Sequence, residues 1–131
     1  MSLNVWDNAK ILKTKRGGNM AITEITKENF STEVSGSSLP VVLDFWGPRC
    51  GHCMELMPGY HELAGNPKYE GRVKFCSVDT STNRRVAMTL RPAVMSLPTF
   101  IFFKGGKETA RLSGGNITIE AVASKADELL G

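Results

Sequence analysis

Two cysteines in the segment Cys50-Gly51-His52-Cys53 carry the most distinctive chemistry of the sequence. The segment lies between an apolar run and a stretch with helical spacing, so we expect it to begin a helix. Cysteines at positions i and i+3 there can bring their sulfurs within disulfide distance. The unpaired N–H groups of the first turn and the helix dipole favour a thiolate at Cys50. Cys50 is therefore predicted to attack disulfides, and the less exposed Cys53 to resolve the mixed disulfide.

Asp44 is the single acidic residue in the apolar run from Val41 to Trp46. One interpretation is structural: a carboxylate at a strand end that is held by hydrogen bonds and takes no part in chemistry. The other is functional, because burial without a cationic partner raises the pKa of a carboxyl group. A carboxylate whose pKa is near neutral can accept the proton of Cys53 when the mixed disulfide is resolved.

Two basic residues flank Cys50. A protonated imidazole at His52 can stabilise the Cys50 thiolate, which favours the reduced dithiol and makes the disulfide a stronger oxidant. For this two-electron couple, about 30 mV corresponds to about 1.4 kcal/mol. Arg49 can act in the same direction, although solvent screens an exposed charge. Both residues also have a plain interpretation as solvent-facing side chains.

The elements that must position these residues follow from periodicity. Val41–Trp46 is typical of a strand buried on both faces, and the spacing from Cys53 to Ala64 predicts a helix that Pro58 should kink. Gly105-Gly106 predicts a hairpin. Further strands are expected at 21–25, 72–79, 99–103 and 107–112. Further helices are expected with Thr26 and Ser81 as their N-caps and from 119 onward. This order predicts an α/β fold with a central mixed β-sheet flanked by helices on both faces.

Composition and charge restrict the class of protein. The chain has 131 residues, of which 41% are hydrophobic, enough for one domain with a real core. Residues 1–19 account for the entire net charge of +3, so residues 20–131 offer no net positive field for nucleic acid. We predict an N-terminal extension at 1–19, flexible or a short helix, followed by a domain at 20–131. No apolar run reaches the roughly 18 residues of a membrane span.

The stretch from Val41 to Cys53, with Pro58 after it, resembles the active-site region of the thioredoxin family. The segment Ser96-Leu97-Pro98-Thr99-Phe100 resembles the cis-proline segment of that family. The resemblance extends from about Met20 to the C-terminus. It implies the thioredoxin fold and a thiol-disulfide oxidoreductase that contributes to cell redox homeostasis. It also places the buried aspartate of the family at Asp44, which favours the functional interpretation of that residue.

The resemblance further implies where a substrate chain would bind. Gly106 falls at the family's hairpin glycine, and Ser113-Gly114 falls at its substrate-facing glycine. The backbone of Leu97, before Pro98, would pair with the substrate. The substrate-binding residues implied in this way are Arg49, Gly51, Leu97, Pro98, Ser113 and Gly114.

Three positions depart from the usual pattern of the family. Gly-His between the cysteines is the pairing of protein disulfide isomerases, whereas most thioredoxins have Gly-Pro, so His52 implies a less reducing protein. Arg49 stands where a tryptophan is usual, and Phe75 where many thioredoxins have a lysine near the buried aspartate. Without that lysine the pKa of Asp44 should be higher still. Cys76, in the same strand as Phe75, is expected to be an inert core thiol.

Two other functions stay open at this point. A zinc-binding module would use Cys50 and Cys53, but structural zinc usually needs four cysteine or histidine ligands, and neither a second CxxC nor an HxxxH occurs. We therefore expect no metal site. A thioredoxin-like binding module with catalytically unimportant cysteines is the other alternative.

The expected partners follow from the leading hypothesis. They are protein disulfides or dithiols and, for a cytoplasmic reductase, a thioredoxin reductase. Nucleic acid and membranes are not expected partners, and we expect a monomer with no cofactor besides the redox-active Cys50–Cys53 disulfide. No secretory signal is recognised, which favours the cytoplasm. A chain whose signal had been removed would look identical, so an exported oxidase or isomerase stays open.

Overall fold

A computed structural model describes residues 21–131. The extension predicted at 1–19, with its flexible and helical alternatives, lies outside the described residues.

The described residues form a five-stranded mixed sheet. Its strands, in chain order, are β1 Ile22–Glu24, β2 Val41–Trp46, β3 Lys74–Asp79, β4 Thr99–Lys104 and β5 Lys107–Ser113. Their spatial order is β1-β3-β2-β4-β5. Strand β3 runs parallel to both β1 and β2, whereas β4 is antiparallel to β2 and β5. The prediction of a central mixed sheet is confirmed.

Helices cover both faces of this sheet. They are α1 Gly51–Ala64, α2 Arg84–Thr89 and α3 Ile119–Glu128. A π-helical turn at Ser31–Ser35 and a 3-10 turn at Pro67–Tyr69 complete the regular structure. One core cluster joins α1 and α3 to one face of the sheet, and a second joins α2 and the π-helical turn to the other.

Strand β2 lies at the centre and carries the site. Its first five residues are all buried, as the unbroken apolar run predicts. Because side chains alternate along a strand, Leu43 and Phe45 enter the α2-side cluster, whereas Val42 enters the α1-side cluster. Asp44 therefore lies on the face of β2 that α1 covers.

The hairpin between β4 and β5 turns on two glycines. Gly105 and Gly106 have φ values of +63° and +78°, the left-handed conformation that this short turn requires at both positions. A Cβ atom at Gly106 would also collide with the carbonyl of Ser35. The predicted hairpin and its glycine are both present.

Two predicted helix starts are wrong. Ser81 does not cap α2, because its N–H and hydroxyl both donate to Asp79 Oδ1, at 3.0 and 2.7 Å; Asn83 occupies the cap position instead. After Thr26 the chain forms turns and then the π-helical turn, in which Gly36 N donates to Ser31 O at 2.7 Å. Pro58 lies inside α1, which continues through it to Ala64.

Candidate active site

Cys50 and Cys53 form a disulfide at the start of α1. Cys50 is the N-cap residue, with an extended backbone, and Cys53 lies in the first helical turn, 5.2 Å away between Cα atoms. The N–H of Cys53 donates to Cys50 Sγ at 3.1 Å. A backbone donor aimed at this sulfur, at the positive end of the helix dipole, stabilises a thiolate there once the disulfide is reduced.

The two sulfurs differ in access. Cys50 is partly exposed, whereas Cys53 is only 2% exposed. Cys50 lines a cavity of about 360 Å³ whose described walls also include Gly47, Pro48, Arg49, Thr80, Ser81 and Leu97. Cys50 is therefore the more accessible of the two sulfurs, and Cys53 is the less exposed one that the sequence predicts.

Asp44 is a buried carboxyl group without compensation. Its side chain is 3% exposed, and burial raises its pKa to about 8. Within residues 21–131, Oδ1 has no hydrogen-bond partner. The buried Tyr60 hydroxyl does not supply one, because it donates to the carbonyls of Val42 and Cys76, at 3.2 and 2.8 Å. The charge of Asp44 adds to burial in raising the pKa of Tyr60.

Phe75, which stands at the family's lysine position, belongs to an aromatic cluster. Its ring packs edge-on against Tyr60 and Tyr69, with centroids 5.8 and 5.1 Å apart. The next residue, Cys76, is fully buried on the opposite face, and burial raises the pKa of its thiol to about 12. Such a thiol stays protonated and unreactive at neutral pH.

His52 is held by two acceptors. Its Nδ1 lies 3.0 Å from Glu55 Oε1, and its Nε2 lies 2.7 Å from the carbonyl oxygen of Ile117. A carboxylate and a carbonyl accept hydrogen bonds, so the protonated ring can donate to both, and the two contacts favour the imidazolium form. The hydrogen bond with Glu55, followed by that with Ile117, raises the pKa of His52. Any effect of His52 on Cys50 therefore acts through charge, since neither nitrogen is left to bond the sulfur.

The structure gathers the predicted substrate-binding residues at one edge of the sheet. The Leu97–Pro98 peptide bond is cis, and Leu97 lines the same cavity as Cys50 and Arg49. Gly114 N donates to the carbonyl of Pro98 at 3.1 Å, and Ser113 pairs with Thr99 across the β4–β5 ladder. Gly51, the first residue of α1, is exposed, and a Cβ there would meet no atom within 4 Å.

The sequence analysis missed Thr80 and Ser81 as lining residues of this cavity. Thr80 is tied to the end of β2, because its N–H and hydroxyl both donate to the carbonyl of Trp46 at 2.9 Å. A signal for both was present: they directly follow β3, and the carboxyl ends of adjacent parallel strands meet at one edge of a sheet.

In the described part of the chain, no group of three or more histidine, cysteine, aspartate or glutamate side chains is placed to hold a metal ion. None of the helices between residues 21 and 131 combines the length and apolar character needed to cross a bilayer.

Comparison with known proteins adds independent findings. The family model described as Thioredoxin matches residues 21–128. The chain is 37% identical over 94 residues to Thioredoxin 1 of a Nostoc species, covering 72% of this chain and 84% of that protein. It is 34% identical over 108 residues to the thioredoxin of Chlorobaculum thiosulfatiphilum, covering 82% and 95%. Its fold resembles the crystal structure of Malassezia sympodialis thioredoxin, with a TM-score of 0.73, 24% identity, and coverage of 84% of this chain and 91% of that one.

Proposed function

The chain belongs to the thioredoxin family and is a thiol-disulfide oxidoreductase, and from this premise we propose that it exchanges disulfides with protein substrates through Cys50 and Cys53. The observation that carries the proposal is the asymmetry of the pair. Cys50 lies at a helix start, with a backbone N–H directed at its sulfur and a cavity in front of it, whereas Cys53 is buried behind it.

In the reducing direction, the Cys50 thiolate attacks one sulfur of a substrate disulfide. The substrate S–S bond breaks, a Cys50–substrate mixed disulfide forms, and the leaving sulfur takes up a proton. Cys53 then loses its proton and attacks Cys50 Sγ, which releases the second substrate sulfur. The substrate gains two electrons, and the enzyme ends with the Cys50–Cys53 disulfide. The same steps in reverse donate a disulfide to a dithiol.

Asp44 is proposed to accept the proton of Cys53. Its burial, its pKa of about 8 and its position on the α1-covered face of β2 support this role. A carboxylate with a pKa near the ambient pH is well matched to take a proton from a thiol during the reaction. His52 and Arg49 are proposed to favour the Cys50 thiolate through their charge.

The redox-active disulfide is the electron carrier in this scheme, so the exchange requires no other cofactor. For a cytoplasmic reductase, the partner that regenerates the dithiol would be a thioredoxin reductase; an oxidase or isomerase would work in the opposite direction. Titration of the Cys50–Cys53 couple against glutathione would distinguish these directions. A potential near that of reducing thioredoxins supports the first, and a potential well above it supports the second.

The test of the proposed function is reduction of insulin disulfides by dithiothreitol with the wild-type protein and with Cys50→Ser. We expect the variant to lose catalysis and Cys76→Ala to retain it, because Cys76 is buried away from the cavity. Equal rates for wild type and Cys50→Ser would overturn the proposal and favour a binding module.

A further inference from the structure

A second cavity adjoins the one in front of Cys50. This second cavity, of about 220 Å³, shares Thr80 and Leu97 with the first. Its other described walls are Arg84, Ala87, Met88, Val94, Met95 and Ser96. We call the two together the Cys50 groove, which extends from the reactive sulfur across Leu97 to α2 and the segment before Pro98.

The charged residues of the Cys50 groove all have one sign. Arg49 and Arg84 are exposed and line it, and its described walls contain no aspartate or glutamate. Between Asp79 and Glu108 the sequence has no acidic residue at all. Among residues 21–131, neither Arg49 nor Arg84 forms an ion pair with a carboxylate.

The acidic residues closest along the chain to Arg49 and Arg84 do not line the groove: Asp44 is buried, and Asp79 and Glu55 bond other side chains. Asp79 accepts two hydrogen bonds from Ser81, and Glu55 pairs with His52 at 3.0 Å. Residues 20–131 have no net charge overall, so the excess of positive charge along the described walls of this groove is local. A separate cavity, which Trp46 lines, differs in charge, because its walls include the acidic Glu24 as well as His61.

The floor of the Cys50 groove is apolar and adaptable. Met95 is 77% exposed and Met88 also reaches the surface, beside the buried side chains of Ala87 and Val94. Methionine side chains adjust to partners of different shape. A fitting segment would thus place an apolar side chain on this floor and a carboxylate near each guanidinium, which binds carboxylates in a fork geometry.

We propose that the Cys50 groove selects protein disulfides whose flanking residues are acidic, with Arg84 and Arg49 as the specificity-determining residues. This inference rests on the proposed function, because the selected segment must carry the disulfide that Cys50 attacks. Complementary charge would act mainly on the association step, and salt should weaken it.

The test uses three disulfide-bridged peptides with the same apolar residue, flanked by glutamate, glutamine or lysine. The protein is reduced beforehand, and the second-order rate constant for a single turnover with each peptide is measured at low salt and at about 0.5 M salt. We expect the glutamate peptide to exceed the lysine peptide by about tenfold at low salt, and the ratio to fall towards one at high salt. Equal values for the three peptides would overturn the inference, whereas reduction of none would overturn the proposed function.

Arg84→Glu should lower or reverse the glutamate-to-lysine ratio, and Arg84→Gln should lower it by a smaller factor. The matched control is Lys107→Glu, which makes the same change of charge at the opposite edge of the sheet, where Lys107 pairs with Lys104. It should leave the ratio unchanged. If Lys107→Glu alters the ratio as much as Arg84→Glu, the preference is a property of net charge and the assignment to the groove is wrong.

Discussion

The outer and inner sides of the Cys50–Cys53 pair are opposite environments. Outside, Cys50 meets a groove with two arginines, a methionine floor and open solvent. Inside, Cys53 is buried, and Asp44 lies without a hydrogen-bond partner for Oδ1 among the described residues, on the sheet face that α1 covers. In the proposed mechanism the two sides therefore have separate tasks: recognition and attack take place on the outer side, and proton transfer and resolution take place on the inner side.

The separation follows from helix geometry and dielectric. Three residues advance a helix by slightly less than one turn, so the sulfurs are adjacent while Cys50 stays at the open end. Exposed charges outside act weakly because water and salt screen them. On the inner side the carboxyl group of Asp44 is removed from water, and this burial raises its pKa to about 8. Substitutions confined to one side of the pair test whether the other side responds.

The largest effect is expected from replacing each cysteine with serine. Both Cys50→Ser and Cys53→Ser should lose catalytic turnover, by more than about 10⁴-fold. Only Cys53→Ser should accumulate a mixed disulfide, because its Cys50 still attacks and nothing resolves the product. Mass spectrometry of the quenched, non-reduced reaction distinguishes them. An equal yield of mixed disulfide through Cys53 in Cys50→Ser would show that the two sides are not separate.

A large effect on stability is expected from Asp44→Asn. Burial raises the carboxyl pKa from 3.8 to about 8, so the folded protein holds this proton more tightly than the unfolded chain. The stabilisation from this tighter proton binding is complete below about pH 4 and is lost as pH rises to about 8, and the total loss is on the order of 6 kcal/mol. The asparagine side chain cannot ionise, so the variant should exceed the wild type in stability increasingly from about pH 4 to pH 8.

Urea unfolding of the oxidised protein across this range measures the difference. Asp127→Asn is the control of opposite sign, because hydrogen bonds from Tyr69 and then Lys68 lower the pKa of Asp127. That variant should be less stable than the wild type at neutral pH, and the gap should close as pH falls through the folded pKa. A pH-independent difference between Asp44→Asn and the wild type would contradict the raised pKa.

A smaller effect is expected on the rate of resolution. Asp44→Asn removes the proposed proton acceptor for Cys53 and should slow release from the mixed disulfide by about 100-fold near neutral pH, the lower end of what a positioned general base contributes. The attack by Cys50 should stay unchanged, because it takes place on the outer side. Single-turnover kinetics with a disulfide peptide separate the two steps. If Asp44→Asn slowed only the attack by Cys50, the proposal that Asp44 accepts the proton of Cys53 would be wrong.

The sequence predicts the central part of the fold well. The run Val41–Trp46 gives β2 its observed bounds, because a strand buried on both faces must be apolar along its whole length. The Gly105-Gly106 turn is equally local, since few other residues adopt its backbone. Both predictions depend on the local sequence, and tertiary contacts change them little.

The failures come from competition that spacing does not reveal. Ser81 is a good cap by residue type, but the carboxylate of Asp79 takes both of its donors. The partner of His52 Nε2 is the carbonyl of Ile117, 65 residues away, which only the packing of α3 brings close. The charge at position 52 was predictable from the sequence, whereas the direction in which the ring points was not.

The smallest effect is expected from His52→Gln, and it tests whether charge on the outer side reaches Cys50. Loss of the imidazolium should weaken the thiolate and lower the reduction potential, by on the order of 30 mV. The difference should be full below the raised pKa of His52 and vanish as pH rises through it, because the wild-type ring then becomes neutral. His61→Gln, on a different cavity of the same helix, is the matched control and should leave the potential unchanged. Equal potentials for His52→Gln and wild type at about pH 6 would mean that Glu55 cancels the field of the ring, and the Cys50 thiolate would then depend on the Cys53 N–H and the helix start alone.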